Sequence, residues 1–308
     1  LNQSVEQPST TAETVALFRA LETARPARER LFEDPNATRF LRPSLRVAIG
    51  LAKLPPLRLA LEALSDHLWP GACSSAVART RLIDDWLRDA QARGIEQFVL
   101  LGSGFDARAS RLAALRGAKV FELDRRATLQ AKRTRLAESG LAEVRYLPID
   151  FGRHDFINLM RTSDFDRRAP AVFVWEGVTQ YLPPAAVERT LRSIARLCTI
   201  DSELLFTYVH RGVLSGDHFE GATAIRSAIA KTTEPWLSGM VPEEVPSMLH
   251  ERGFEVMEDL DADAYRQRYR PAPRGGWGGY AFYHAVRARY TRPAAPASGD
   301  SGLFRGPI

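Results

Sequence analysis

Cysteine is nearly absent: two residues in 308, Cys73 and Cys198. That excludes a disulfide framework and a four-thiolate metal site. The six histidines (His67, His154, His210, His218, His250, His284) form no H-x-x-x-H pair and no Cys/His cluster, so no catalytic metal is expected. A long hydrophobic run is also missing. The most apolar stretch, 47–64, carries Lys53, Arg58, Glu62 and Pro55-Pro56, which fits a helical hairpin and not a membrane span. The first eleven residues are polar and read as no secretory leader. No block of one charge occurs. The balance of 42 Lys+Arg against 37 Asp+Glu leaves +5, spread thinly, which does not argue for nucleic acid. No internal repeat is visible. The expectation is a soluble, cytoplasmic protein without a membrane or nucleic-acid partner.

What is present is an ordinary globular composition, 45% hydrophobic and 26% charged. The length suffices for one large α/β domain, or one domain with an added cover. Residues 1–94 read as helical, with periodic segments at 14–21 and 76–93 and a stop at Phe32-Glu33-Asp34-Pro35. Residues 95–210 alternate apolar strands (97–101, 119–123, 144–147, 171–175, 203–209) with helices (107–115, 126–138, 184–198). Uninterrupted apolar strands between helices predict a doubly wound, mostly parallel sheet covered on both faces. Helices are expected at 221–231 and 241–251, and two last strands at 254–260 and 280–290. The Pro/Ala/Gly/Ser-rich tail, 292–308, is expected to be disordered. Cys198, in an apolar helical run, reads as a small buried hydrophobe.

The sharpest local feature is LLGSGFDA, 100–107, between a predicted strand and a predicted helix. Its G-x-G-x-x-A form lets the chain turn tightly at Gly102 and Gly104 and lets a ligand approach the backbone. Asp124 follows twenty positions after Gly104, at the end of the next strand, and can accept hydrogen bonds from ribose hydroxyls. Glu122 lies two before it, on the same strand face. The bland alternative is a plain strand–helix turn with an exposed acid. The loop alone does not separate a nicotinamide dinucleotide from S-adenosylmethionine. The helical region ahead of the first strand favours the methyl donor, as do Asp150-Phe151 and Glu176 after the third and fourth strands. Asp150 can accept from an adenine amine while Phe151 packs on the ring. Glu176 suits the end that carries the ammonium and sulfonium charges.

In series, RTRLIDD (79–85), QFVLLGSGFDARASRL (97–112), FELD (121–124), Asp150-Phe151 and WEGVTQYL (175–182) resemble the leucine carboxyl methyltransferase family, within the class I S-adenosylmethionine-dependent methyltransferases. The helical N-terminus with LFEDP (31–35) resembles that family's lid. The resemblance implies a class I methyltransferase fold of seven strands whose last strand is antiparallel. A lid would span 1–94 and the catalytic domain 95–291. It also implies roles: Arg79 on the methionyl carboxylate (Arg81 if the register differs), Gly102 and Gly104 in the cofactor loop, and Asp124 on the ribose. Asp150 and Phe151 would contact adenine, Glu176 the methionyl amine, and Tyr181 the transfer site. Plainer readings make Arg79 a surface ion partner and Tyr181 a packed ring. Arg108 and Arg111 read as structural partners of Asp106 or Glu122.

The expected activity is O-methylation by S-adenosylmethionine of a small-molecule carboxylic acid or phenol, such as a bacterial polyketide. The alternatives are a protein C-terminal carboxyl methyltransferase, an NAD(P)-dependent oxidoreductase, or a non-catalytic platform. Asp106 and Glu176 fit poorly beside two cofactor phosphates. His210 and Arg211, directly after the fifth strand, are candidates for a base toward a phenol and a clamp on a carboxylate. An ordinary strand-end loop is the alternative for both. The stretch 265–280, which mixes arginines, aromatics and glycines, reads as RNA contact, as a plain solvated loop, or, as its position between the last two strands favours, as a loop with Trp277 that walls the acceptor pocket.

Overall fold

The computed structural model describes residues 10–136, 143–216, 219, 222–223, 227, 234–269 and 278–291. Most of the expected helix at 221–231, Trp277 and the expected disordered tail at 292–308 lie outside these residues. Four helices come first: α1 (Thr10–Thr23), α2 (Pro43–Leu51), α3 (Pro55–Leu68) and α4 (Ala72–Ala92). The apolar stretch at 47–64 is thus the turn region of the α2–α3 hairpin, opened by prolines at the first helical positions. Among the described residues no helix is long and apolar enough to cross a membrane.

Then follow β1 (Gln97–Leu101), α5 (Arg108–Arg111), β2 (Lys119–Asp124), α6 (Arg126–Leu136), β3 (Glu143–Pro148), α7 (Ile157–Arg161) and β4 (Ala171–Trp175). The chain ends with α8 (Pro184–Leu197), β5 (Glu203–Val209), α9 (Arg211–Ser215), α10 (Val245–His250), β6 (Phe254–Asp261), α11 (Ala262–Tyr269) and β7 (Tyr283–Tyr290). The seven strands form one sheet in the order β3-β2-β1-β4-β5-β7-β6. β7 runs antiparallel to both β5 and β6, and the pairs from β3 to β5 are parallel. This is the class I methyltransferase arrangement.

Continuous apolar strands bury both faces here. On β1, Val99 and Leu101 pack with Met160 of α7 and Leu191 and Ile194 of α8. Phe98 and Leu100 point the other way, into a cluster with Leu82, Ile83, Trp86 and Leu87 of α4 and Tyr265 of α11. A period of two along the strand, with a helical layer on each side, buries every position; the one polar residue, Gln97, is satisfied by the Asp166 backbone. α4 therefore covers the sheet directly, although it precedes residue 95. A separate cluster joins α1, Phe40, Leu41 and α2 to Phe105 and Ala107 after β1, so the first helices sit over the glycine loop.

The expected helix at 107–115 is broken. It forms α5 and then a 3-10 turn at Ala113–Leu115, because Leu112 adopts an extended conformation (φ −84°, ψ 110°). Leu112 and Leu115 are thereby buried in the cluster beneath α4. Burial of two leucines outweighs continuing a short helix. Both cysteines are free thiols. Cys198 is half-buried at the end of α8, where burial raises its thiol pKa.

Candidate functional site

The sheet order reverses direction between β1 and β4, and the crevice at the C-terminal ends of these strands is where an open α/β sheet receives a ligand. A cavity of about 360 Å³ lies there. Arg79, Gly102, Gly104, Asp124, Asp150, Phe151, Glu176 and Tyr181 all line it. His210 and Arg211 do not.

The glycine loop is tied to the neighbouring strand by its own backbone. The amides of Gly102 and Ser103 both donate to the Leu123 carbonyl, at 2.7 and 3.2 Å. The Gly104 amide donates to Asp124 Oδ2 and the Arg125 amide to Oδ1, each at 2.6 Å. The Asp124 carboxylate is thus oriented by main chain at the loop it faces. Burial raises its pKa, and these two amides only partly offset that. Gly102 has φ +66°, and a Cβ built on it would lie 2.4 Å from Val178 Cγ2. We expect Gly102→Ala to cost about 1–3 kcal/mol in urea unfolding. Adding Val178→Ala should recover only part, since the positive φ remains. An unchanged midpoint in the single variant would show that the loop yields freely.

Opposite the loop, α4 and the end of β4 meet in a buried charge network. Arg79 Nε donates to Glu176 Oε1 at 2.7 Å, and the guanidinium carbon lies 4.6 Å from the centre of the Tyr283 ring. Arg108 Nη1 donates to Glu176 Oε2 (2.7 Å) and to Asp106 Oδ2 (2.6 Å), while its Nε donates to Asp84 Oδ1 (2.8 Å). Arg111 holds the other Asp84 oxygen at 2.6 Å. Burial pushes the Glu176 carboxyl upward, but Arg108 and Arg79 outweigh it and hold it below its ordinary range. Asp84 behaves alike beside Arg111 and Arg108. These acids are ionised at neutral pH.

Some expected pairings change. Arg79 pairs with Glu176, and Arg81 sits away from the cavity on Asp85 at 3.0 Å. Arg111 bridges to Asp84, not Glu122. Glu122 lies 2.6 Å from Lys132 instead, both buried. Asp150 is half-exposed and accepts from the Gly152 amide at 2.9 Å. Phe151 is buried beside it and meets Phe156 edge-on. The Tyr181 hydroxyl is pushed upward in pKa by burial.

The expected base and clamp after β5 need correction. His210 caps α9, its Nδ1 accepting the Gly212 amide at 3.0 Å, and its ring lies against Phe219. A ring nitrogen committed to a backbone N–H is not placed to take an acceptor's proton. The Arg211 side chain is half-exposed and pairs with Glu244. Residues the sequence did not single out line the cavity instead: Thr11, Val15 and Arg19 from α1, and Glu234 and Leu237. The helical periodicity at 14–21 places Val15 and Arg19 on a helix but does not show that this helix reaches the sheet edge, and Glu234 and Leu237 carry no local signal, because all of them reach the site only through tertiary packing. Among the described residues no group of three or more His, Cys, Asp or Glu is placed to hold a metal.

The donor set suits a ligand with a ribose, an aromatic base and an end bearing both charges. Asp124 offers two acceptors, Phe151 an apolar face, and the Arg79–Glu176 pair both signs of charge. Comparisons with known proteins agree with that chemistry. Residues 12–195 match the family described as leucine carboxyl methyltransferase. A relative from Frankia alni, named "Putative S-adenosyl-L-methionine-dependent methyltransferase", is 33% identical over 268 residues, 86% of each chain. One of the same name from Mycolicibacterium gilvum is 33% identical over 295 residues, 88% of this chain and 92% of its own. A crystal structure of a "putative methyltransferase" from Thermobifida fusca shares the fold. Its TM-score is 0.58 at 19% identity, over 93% of this chain and 96% of that one.

Proposed function

We propose that this chain, which belongs to the leucine carboxyl methyltransferase family and is an S-adenosylmethionine-dependent methyltransferase, delivers the methyl group to an oxygen of a small natural product. The acceptor oxygen is a carboxylate or a hydroxyl, on a molecule such as a polyketide. S-adenosylmethionine supplies an electrophilic methyl on a sulfonium. The observation that carries the reading is that one cavity gathers Asp124, the glycine loop, Phe151 and the Arg79–Glu176 pair. Asp124 accepts from the ribose, Phe151 packs on adenine, and Arg79 and Glu176 hold the two charges of the methionyl end. α1 lies over the loop and keeps water from the transfer site.

Calorimetric titration with S-adenosylhomocysteine, with NAD in parallel, tests the reading. Micromolar or tighter binding of the first alone is expected. Asp124→Ala should weaken it by about 1–3 kcal/mol through lost ribose hydrogen bonds. Folded protein that ignores S-adenosylhomocysteine would remove the methyl-transfer reading altogether.

A further inference from the structure

We propose that the α2–α3 hairpin is the seat of a second copy of this chain, the two copies pairing hairpin to hairpin in a two-fold dimer. α3 is turned inside out. A surface helix ordinarily sets its apolar face on the core and its charged face in water. Here Arg58, Glu62 and Asp66, spaced four apart, face the chain's own interior. Arg58 and the neighbouring Ser65 are buried. The Arg25 guanidinium lies 2.7 Å from Glu62 Oε1, and the Asp66 carboxylate accepts the Gly71 amide at 3.1 Å. Behind α3 lies a cavity of about 640 Å³, lined by these charges and by Glu29. Leu61 reaches the cluster shared with α1, but the rest of this inner side is polar and incompletely filled. It gives α3 little apolar burial.

The apolar residues point outward instead. Leu57, Leu64 and Leu68 are 41 to 53% exposed and share one side of α3, at positions i, i+7 and i+11. Leu59 is exposed on the flank. Val47 and Leu51 of α2 and Leu54 of the turn are 49 to 64% exposed. These are seven of the ten large hydrophobic residues exposed among the described residues, and all fall within positions 47–68. None of the exposed residues of α3 is Asp, Glu, Lys or Arg. The seven side chains present roughly 600 Å² to water, at the upper end of what a monomer leaves bare. With the exposed Pro55, Pro56, Ala60 and Ala63 added, one hairpin approaches the area of about 800 Å² that each partner brings to a stable interface.

A second copy fits this face better than a lipid surface does. An isologous contact sets a patch against itself, so a patch without charge meets no repulsion and buries no unpaired ion. A helix that lies in a membrane surface carries lysines and arginines on its polar face and aromatic residues among its apolar ones. The polar face of α3 bears both signs and is turned onto Arg25 and Glu29. Arg46 of α2 donates to the carbonyls of Leu41 and Arg39 at 2.8 and 2.9 Å. Trp69, just beyond α3, packs edge-on against Phe18. Two α3 helices laid antiparallel would set Leu57, Leu64 and Leu68 of one chain between those of the other, as in a helix–helix seam.

Sedimentation equilibrium of the full chain tests the pairing. A dimer with a Kd of about 10 µM or tighter is expected. L64E sets a carboxylate in the apolar seam and should weaken association at least about 100-fold. L57E, on the same side of α3, gives the same reading independently. I200E puts the same charge on an exposed apolar residue outside the hairpin, and should leave the Kd within about threefold. All three positions are exposed, so the circular dichroism of each variant should match wild type. A chain that stays monomeric at about 100 µM would overturn the proposal. Such a monomer, if it bound vesicles of equal parts phosphatidylcholine and phosphatidylglycerol and lost them on L64E, would give the face to lipid. A dimer that L64E and L57E leave intact, or that I200E breaks equally, would overturn it as well.

Discussion

Arg108→Met is expected to destabilise the fold by about 3–5 kcal/mol, read from urea unfolding at neutral pH. Arg108 is 2% exposed and donates to three carboxylates, on Asp84, Asp106 and Glu176. Methionine fills much of the same volume, so the loss is electrostatic and not a cavity effect. Asp84 keeps Arg111, and Glu176 keeps Arg79. Asp106 loses the side-chain partner that, against the upward push of burial, does most to keep its carboxyl ionised. The remaining acids then resist desolvation or take up protons, and either outcome lowers stability. A loss below about 1 kcal/mol would mean that water reaches this network freely. The network joins α4, the loop after β1 and the end of β4, so it ties the fold to the wall of the cavity.

That network also marks where reading the sequence succeeded and where it stopped. The boundaries of β1, β4 and β5 follow directly from the sequence, because an apolar run buried on both faces carries its own limits. Gly102, Gly104 and Asp124 come together as their spacing predicts, since a strand–turn–helix unit with a fixed crossover leaves little freedom. Arg108 was legible as a partner of Asp106, two positions away, but not of Glu176, 68 positions away. Long-range ion pairs have no local signature. His210 and Arg211 looked chemical because they follow a strand end, yet local capping and a surface pair account for both. Glu234 was passed over for the opposite reason, since only the fold brings it to Thr11.

Arg79→Met should weaken S-adenosylhomocysteine binding by about 2–4 kcal/mol, roughly 30- to 1,000-fold, and leave adenosine within about threefold. Arg79 is buried, its Nε on Glu176 and its plane over Tyr283. A guanidinium carries five N–H donors, so one bond to Glu176 leaves a forked face suited to a carboxylate. Adenosine lacks that carboxylate and so reports on the ribose and base contacts alone. The substitution is informative because Glu176 retains Arg108 at 2.7 Å, which keeps the acid paired and the end of β4 in place. Calorimetry with both ligands, on protein whose unfolding midpoint is measured in parallel, separates the roles. Equal losses for the two ligands would make Arg79 a structural partner of Glu176. A loss confined to S-adenosylhomocysteine places the methionyl end between α4 and the end of β4, and that position directs the methyl toward Tyr181 and the wall beneath α1.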